Sequence, residues 1–153
     1  MNKSGVIGFF EEIPAFICVL IAVGIFFISS FASYSSYSSA QEYSLLSDEC
    51  FKLMKALRGY EKFLEVGTYT GLPYIGRYNS TKLDNVAQNE IKKDISSEFE
   101  YAFRILDKEN KKEWLFGEEK KNVLLKVKMT TAILISDNGK LHIGSLSVTV
   151  WKA

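Results

Sequence analysis

The sequence predicts an α+β fold, in which a long N-terminal helix packs on a C-terminal antiparallel β-sheet. Three observations predict it. Residues 13–31 form an apolar run without a charged side chain. Apolar residues then recur at spacings of three and four, and nearer the C-terminus the spacing changes to two on both sides of Asn138-Gly139. Spacings of three and four are typical of a helix with one buried face, and a spacing of two is typical of a half-buried strand.

The apolar run is long enough to cross a membrane. About 20 residues with a rise of ~1.5 Å each extend over roughly 30 Å, the thickness of a bilayer's hydrocarbon core. We therefore expect residues 1–12 to form a cytoplasmic stub or leader and residues 13–33 to form a transmembrane helix. A secretory signal peptide is the alternative, because residues 38–40 (Ser-Ser-Ala) resemble a cleavage site. Such peptides have a shorter apolar stretch, however, and here Glu11 and Glu12 directly flank the run.

The charges on the two flanks of the run predict its orientation. Lys3 precedes the run, and the next Lys or Arg along the chain is Lys52. The positive-inside rule therefore places the N-terminus in the cytoplasm and the C-terminal domain on the outer side of the cell membrane. Asn79 begins an Asn-Ser-Thr sequon, which makes it a candidate glycosylation site in this extracytoplasmic part.

Residues 34–66 are predicted to continue the helix beyond the membrane as an amphipathic segment. Tyr34, Tyr37 and Tyr43 suit the membrane–water interface, where an aromatic ring lies among the headgroups. Polar residues occupy the other face, and Gly59 is the one candidate break. The apolar face is predicted from Leu46, Cys50, Leu53, Met54, Leu57, Tyr60 and Leu64.

Residues 67–153 are predicted to form a β-rich domain. Glycine and proline in residues 67–78 favour a loop. Ser80 or Thr81 is expected to cap a short helix that extends through Val86 to Ile91. Asn138-Gly139 suits a type I′ hairpin turn, because both central residues of that turn need a positive φ. Strands are predicted for residues 99–105, 114–117, 123–135 and 141–151, which together make a sheet of three or four antiparallel strands.

The sequence contains no pattern that predicts catalysis or a cofactor. It has one histidine and two cysteines, and it lacks the nucleophile, phosphate-binding and zinc-binding motifs. A net charge of +1 gives no general attraction to nucleic acid. We expect His142 to be a surface or strand-pairing residue, and Cys18 to be too far from Cys50 for a disulfide. An intermolecular bridge through Cys50 is left open. We therefore expect no enzyme, no cofactor, no metal and no small-molecule substrate.

The order of an apolar helix, an amphipathic helix and a C-terminal sheet resembles the type IV pilins and pseudopilins, including archaeal pilin-like proteins. The resemblance implies that a leader is removed after Gly8, which leaves Phe9 as the new N-terminus. It also implies that Glu12 guides assembly of the filament, although it is the fourth residue after that cut and the family favours the fifth. Gly5, which precedes Val6, is an alternative cut.

The apolar N-terminal string, the later EFEYAFRILDK and the closing GKLHIGSLSVTVW also resemble uncharacterised one-span proteins of methanogenic archaea. From both resemblances we expect a membrane-anchored, pilin-like structural subunit or accessory of an archaeal type IV filament or secretion system. Its partners would be membrane lipid and other pilin-like subunits, itself included, bound through the N-terminal helix. The alternative is a non-processed, single-span accessory subunit of a membrane or cell-envelope complex that binds partners through its outer domain.

Overall fold

The computed structural model describes residues 4–120 and 122–152, with side chains described from Ile13 onward except at positions 88 and 89. The chain divides into two compact units, Met1–Glu42 and Tyr43–Ala153. The elements in chain order are α1 (Ser4–Arg58), β1 (Leu64–Val66), β2 (Pro73–Asn79), α2 (Ser80–Asn85), α3 (Gln88–Asp94), β3 (Glu100–Asp107), β4 (Lys112–Phe116), β5 (Lys126–Asp137) and β6 (Lys140–Trp151).

The predicted fold class is confirmed, because a long N-terminal helix is followed by a C-terminal sheet in an α+β arrangement. The helix ends at Arg58, however, and not at residue 66 as predicted. Glycine is a poor helix former, and at this end of the helix the N–H of Gly59 bonds to the carbonyls of Lys55 and Ala56. The chain then turns so that Phe63 enters the core with no exposed surface.

The sheet has six strands in the order β1-β2-β5-β6-β3-β4. It is mixed rather than wholly antiparallel, because β2 pairs with β5 in parallel with Arg77 opposite Leu134. The prediction of a loop over residues 67–78 was therefore wrong for residues 73–78. Gly76 in this strand has a φ of +77°, which is unusual for a strand. The segment forms a strand because it pairs with β1 and β5, although its local sequence favours a loop.

The C-terminal hairpin is confirmed in its position and in its turn. Asp137 pairs with Lys140, so the loop between β5 and β6 has only two residues. Asn138 has a φ of +49° and Gly139 a φ of +78°, as a type I′ turn requires. Antiparallel pairing of β3 with both β4 and β6 completes this half of the sheet.

The core of the second unit lies between one face of the sheet and the C-terminal part of α1. The predicted apolar stripe of α1 is buried at Leu46, Cys50, Leu53 and Leu57. Phe63 is central to the core, and its ring centroid lies between 4.8 and 6.1 Å from those of four other aromatic residues. These four are Tyr60, Tyr78, Phe103 and Phe116.

Two short helices replace the single one that was predicted after residue 80. Asn79 is the N-cap of α2, since its side-chain oxygen accepts from the Lys82 N–H at 3.1 Å. The predicted caps, Ser80 and Thr81, instead lie inside the first turn. Val86 follows α2 in an extended conformation, which ends that helix before α3 begins.

Candidate membrane span and interaction surfaces

Within the part of the chain that the structure describes, α1 is long and apolar enough to cross a membrane, and its apolar part lies in the first unit. Every side chain from Ile13 to Gln41 is exposed. The large apolar members include Phe16, Phe26 and Phe31, which are between 64% and 74% exposed. Exposed aromatic and aliphatic side chains around a whole helix favour a lipid or protein environment over water.

The same helix continues past the apolar run as a segment rich in serine and tyrosine. No charged residue occurs between Glu12 and Glu42, so this stretch has no ion pairs between its own side chains. Tyr34 and Tyr37 are 72% and 70% exposed, which is compatible with the interfacial position expected from the sequence. In this segment, as in the apolar run before it, the side chains of α1 are exposed.

The residues predicted for leader processing and assembly lie at the start of α1. The backbone at Gly8, Phe9 and Glu12 is helical. Their side chains lie outside the described part of the structure, so cleavage after Gly8 and docking by Glu12 stay predictions.

Asn79, the predicted glycosylation site, is half-buried at the end of β2. Its side-chain oxygen caps α2, and its backbone N–H donates to the Phe63 carbonyl at 2.8 Å. The amide is thus a structural part of the strand-to-helix junction, a role that the sequence analysis assigned to the next two residues. Glycosylation of Asn79 stays a prediction.

The two cysteines are both free and have different surroundings. Cys18 is exposed on the apolar part of α1, and Cys50 is completely buried against the sheet. The Cys50 thiol lies 3.5 Å from the Val148 carbonyl oxygen, and burial raises the pKa of this thiol. A buried, protonated thiol is unreactive, so the structure disfavours an intermolecular bridge through Cys50.

His142 is a strand-pairing residue, as one of the two expectations had it, because it lies in β6 opposite Ile135 of β5. It is buried and not on the surface, and it belongs to a small polar cluster at the turn between β3 and β4. Its Nδ1 atom lies 3.1 Å from the Asn110 amide nitrogen and 3.4 Å from an oxygen of the buried Asp107 carboxylate. Asp107 also accepts the backbone N–H groups of Glu109 and Asn110. These bonds shape the turn. In the described part of the chain, no group of three or more His, Cys, Asp or Glu side chains is placed to hold a metal.

Side-chain contacts attach the short helices to the rest of the second unit. Asp84 of α2 accepts from the Lys112 ammonium at 2.7 Å and from the Trp114 ring N–H at 2.8 Å. Both hydrogen bonds lower the pKa of the Asp84 carboxyl, and the bond from Lys112 has the larger effect. On α3, Asp94 accepts from the Tyr60 hydroxyl at 2.6 Å.

The outer face of the sheet, opposite α1, has two contrasting surfaces. One is a shallow depression of about 480 Å³ whose lining includes Arg104, Glu113 and Lys128. The other is aliphatic, because Leu134 and Ile143 are cross-strand neighbours that are 42% and 58% exposed. Either surface is able to contact a partner. The period-two pattern of β5 and β6 is the sequence signal for the aliphatic surface only, because Arg104 and Glu113 of the depression lie on β3 and β4.

Comparison of the chain with protein-family models, with curated proteins and with solved structures finds no match.

Proposed function

We propose that the protein is a membrane-anchored, pilin-like structural subunit that self-assembles through its N-terminal helix. The observation that carries the proposal is the division of α1. Its C-terminal part buries an apolar stripe from Leu46 to Leu57 against the sheet, whereas the side chains from Ile13 to Gln41 are all exposed. Most helical stability in proteins comes from packing. The exposed part therefore needs contacts with lipid, with other helices, or first with lipid and then with other helices.

The serine- and tyrosine-rich segment favours other helices as part of that cover. A helix that is polar on all sides and stands in water is usually stabilised by pairs of opposite charges four residues apart, and this segment has none. Small residues instead recur every four positions, at Ala32, Ser36, Ala40 and Ser44. Small side chains at this spacing let two helices approach closely. Packing of several copies of α1 would cover both this segment and the apolar run.

A second candidate function is a permanent single-span accessory subunit that is never processed and binds its partners through the outer domain. The aliphatic surface at Leu134 and Ile143 favours it, because exposed apolar patches on a sheet commonly mark contact sites. The two candidates differ in two measurable properties, namely removal of the leader and self-contact of α1.

Removal of the leader is tested by the intact mass of the protein purified from its native membrane. The proposal expects a mass that lacks residues 1–8, and it expects Gly8→Val to restore the full-length mass. Gly5→Val is the matched control, since it alters the other glycine of the stub and should leave processing unchanged. A full-length mass for the unmodified chain would exclude prepilin-type processing and favour the second candidate.

Self-contact of α1 is tested by disulfide cross-linking in the membrane, with Cys18→Ser in every variant. Ser36→Cys places a thiol in the uncovered segment and should yield a dimer of this chain under mild oxidation. Lys55→Cys is the matched control, because Lys55 is exposed on the same helix but lies beside the packed part. If Ser36→Cys cross-links no better than Lys55→Cys, self-assembly through this segment is wrong.

A further inference from the structure

Strand β5 has an edge that no described strand covers. On one side, β6 pairs with β5 along its whole length, from Lys126 opposite Trp151 to Asp137 opposite Lys140. On the other side, β2 pairs only with residues 134–136 of β5. The edge of β5 over residues 126–133 therefore has no strand partner in the described part of the chain. The sheet continues through β2 only at residues 134–136.

The hairpin turn determines which backbone groups lie on this open edge. A two-residue turn makes Asp137 and Lys140 a hydrogen-bonded pair. Hydrogen bonding alternates along an antiparallel strand, so the odd-numbered residues of β5 bond to β6 and the even-numbered residues direct their N–H and C=O groups to the other side. On the open edge these are Lys126 at the start of the strand and Lys128, Thr130 and Ala132 within it, which are all exposed.

The conformation of β2 keeps the edge open. At Gly76 the backbone has a φ of +77°, which only glycine adopts easily, and the pairing with β5 begins just after it, at Arg77. A Cβ atom at Gly76 would lie 3.1 Å from the Arg58 side chain. The departure of β2 from β5 therefore coincides with a buried glycine whose positive φ other residues rarely adopt.

One side of α1 that carries apolar residues lies along the open edge of β5. The contact of Arg58 with Gly76 shows that this side of the helix faces β2. Met54 and Phe51 precede Arg58 by four and seven residues, so all three lie on the same side of the helix. Met54 packs partly against the core, and Phe51 is 62% exposed. On β5 itself, Met129 is only partly buried.

We infer that this edge of β5 binds an extended segment of another polypeptide by strand addition. Unpaired N–H and C=O groups on a sheet edge form a template for an extended peptide, and the side chains of alternate residues add specificity. Residues of the bound segment that face α1 would be apolar, to cover Phe51 and Met129. Residues on the outer face would be acidic, because they lie beside Lys128; the neighbouring Lys126 ammonium is already paired with Glu119 at 3.1 Å.

A second copy of β5 is a poor occupant of the edge. In the antiparallel register centred on Thr130, Lys126 of the second copy would fall opposite Leu134, a position that Arg77 already holds. In the register centred on Lys128, two lysines would face each other directly, which is destabilising. A segment with its own alternation of apolar and acidic residues avoids both conflicts. Strand addition at this edge would be possible whether or not the protein forms a filament.

Amide hydrogen exchange of the full chain in detergent micelles tests the edge itself. The amides of Lys128, Thr130 and Ala132 should exchange at least about tenfold faster than those of their odd-numbered neighbours, which bond to β6. Equal protection of both sets in the free protein would overturn the inference, because the edge would then already be covered.

A short capped peptide that alternates valine and glutamate tests the occupant. It should slow exchange at the three edge amides, whereas the same peptide with N-methyl groups on its edge-facing residues should not. A lysine-for-glutamate peptide should bind several-fold more weakly, and Lys128→Glu should reverse this preference. Equal binding of the methylated peptide, or binding without slower exchange, would overturn the inference.

Variants of one residue separate the backbone from the side chain. Thr130→Pro removes an edge N–H and leaves the odd-numbered bonds to β6 in place, and proline is tolerated on such edges. Thr130→Ala keeps the N–H and is the matched control. We expect Thr130→Ala to bind the valine–glutamate peptide normally and Thr130→Pro to lose binding. Should Thr130→Pro not fold, the methylated peptide gives the same comparison with the unmodified chain.

Discussion

The attachment of α1 to the sheet depends on a few buried side chains, and truncating one leucine measures it. Leu57 has no exposed surface, whereas Leu45 on the same helix is 54% exposed. Removal of a buried leucine side chain costs about 2–5 kcal/mol, because the lost transfer free energy is added to the cost of the cavity. At the exposed position the same change should cost at most about 0.5 kcal/mol. Leu57→Ala and Leu45→Ala are therefore a matched pair.

Cys50 supplies the assay for this pair. It is completely buried beneath α1, and burial raises the pKa of its thiol. The thiol should therefore react with iodoacetamide only when the helix and the sheet separate. When reclosing is faster than alkylation, the rate follows the population of the open form. All variants carry Cys18→Ser, so that only Cys50 reports.

The expected rates follow from the two free energies. Each ~1.4 kcal/mol changes an equilibrium constant tenfold. Leu57→Ala should thus accelerate alkylation of Cys50 by a factor between roughly thirty and several thousand, and Leu45→Ala by about twofold or less. Equal acceleration by the two variants would refute the reasoning, since it would mean that this face of α1 is not packed on the sheet.

Three further predictions concern the second unit. Gly144→Ala should lower the free energy of unfolding by about 1–3 kcal/mol in urea, because its Cβ would lie 2.5 Å from the Ile135 side chain; an unchanged midpoint would contradict the packing of β5 and β6. Phe63→Leu should cost about 1–3 kcal/mol in the same assay, because several aromatic pairs are lost with little change in volume, and a neutral result would contradict the central position of its ring. Asp84 has a pKa lowered chiefly by the Lys112 hydrogen bond, so it stabilises the fold above its unfolded pKa of about 4. The difference in stability between the unmodified chain and Asp84→Asn should be constant near neutral pH and should disappear as the pH falls below about 4 towards the lowered folded value, whereas a difference that persists unchanged in acid would be evidence against this role.

Local patterns in the sequence were enough to predict several elements correctly. The spacing of Leu46, Cys50, Leu53 and Leu57 identified the buried face of α1, because a helix repeats every 3.6 residues whatever it packs against. The β5–β6 hairpin was predicted for a similar reason, since Asn138-Gly139 suits few turns other than type I′.

Long-range pairing decided the elements that were missed. Strand β2 contains a proline and a glycine and resembles a loop, and it is extended only because β1 and β5 lie on either side of it. The sequence pattern identifies Asn79 as part of a sequon, whereas its role as a cap depends on where β2 ends. The position of β2, far along the chain from β5, also made the sheet mixed rather than antiparallel.

The sequence by itself determined that an uncharged, apolar helix precedes a domain of alternating strands, because composition and periodicity are properties of neighbouring residues. Only the tertiary structure decided which surfaces remain uncovered. The open edge of β5, its flank at Phe51 and the burial of Cys50 each depend on contacts between residues far apart in the chain. Such contacts form when the whole unit folds, so no short stretch of sequence contains the information that specifies them.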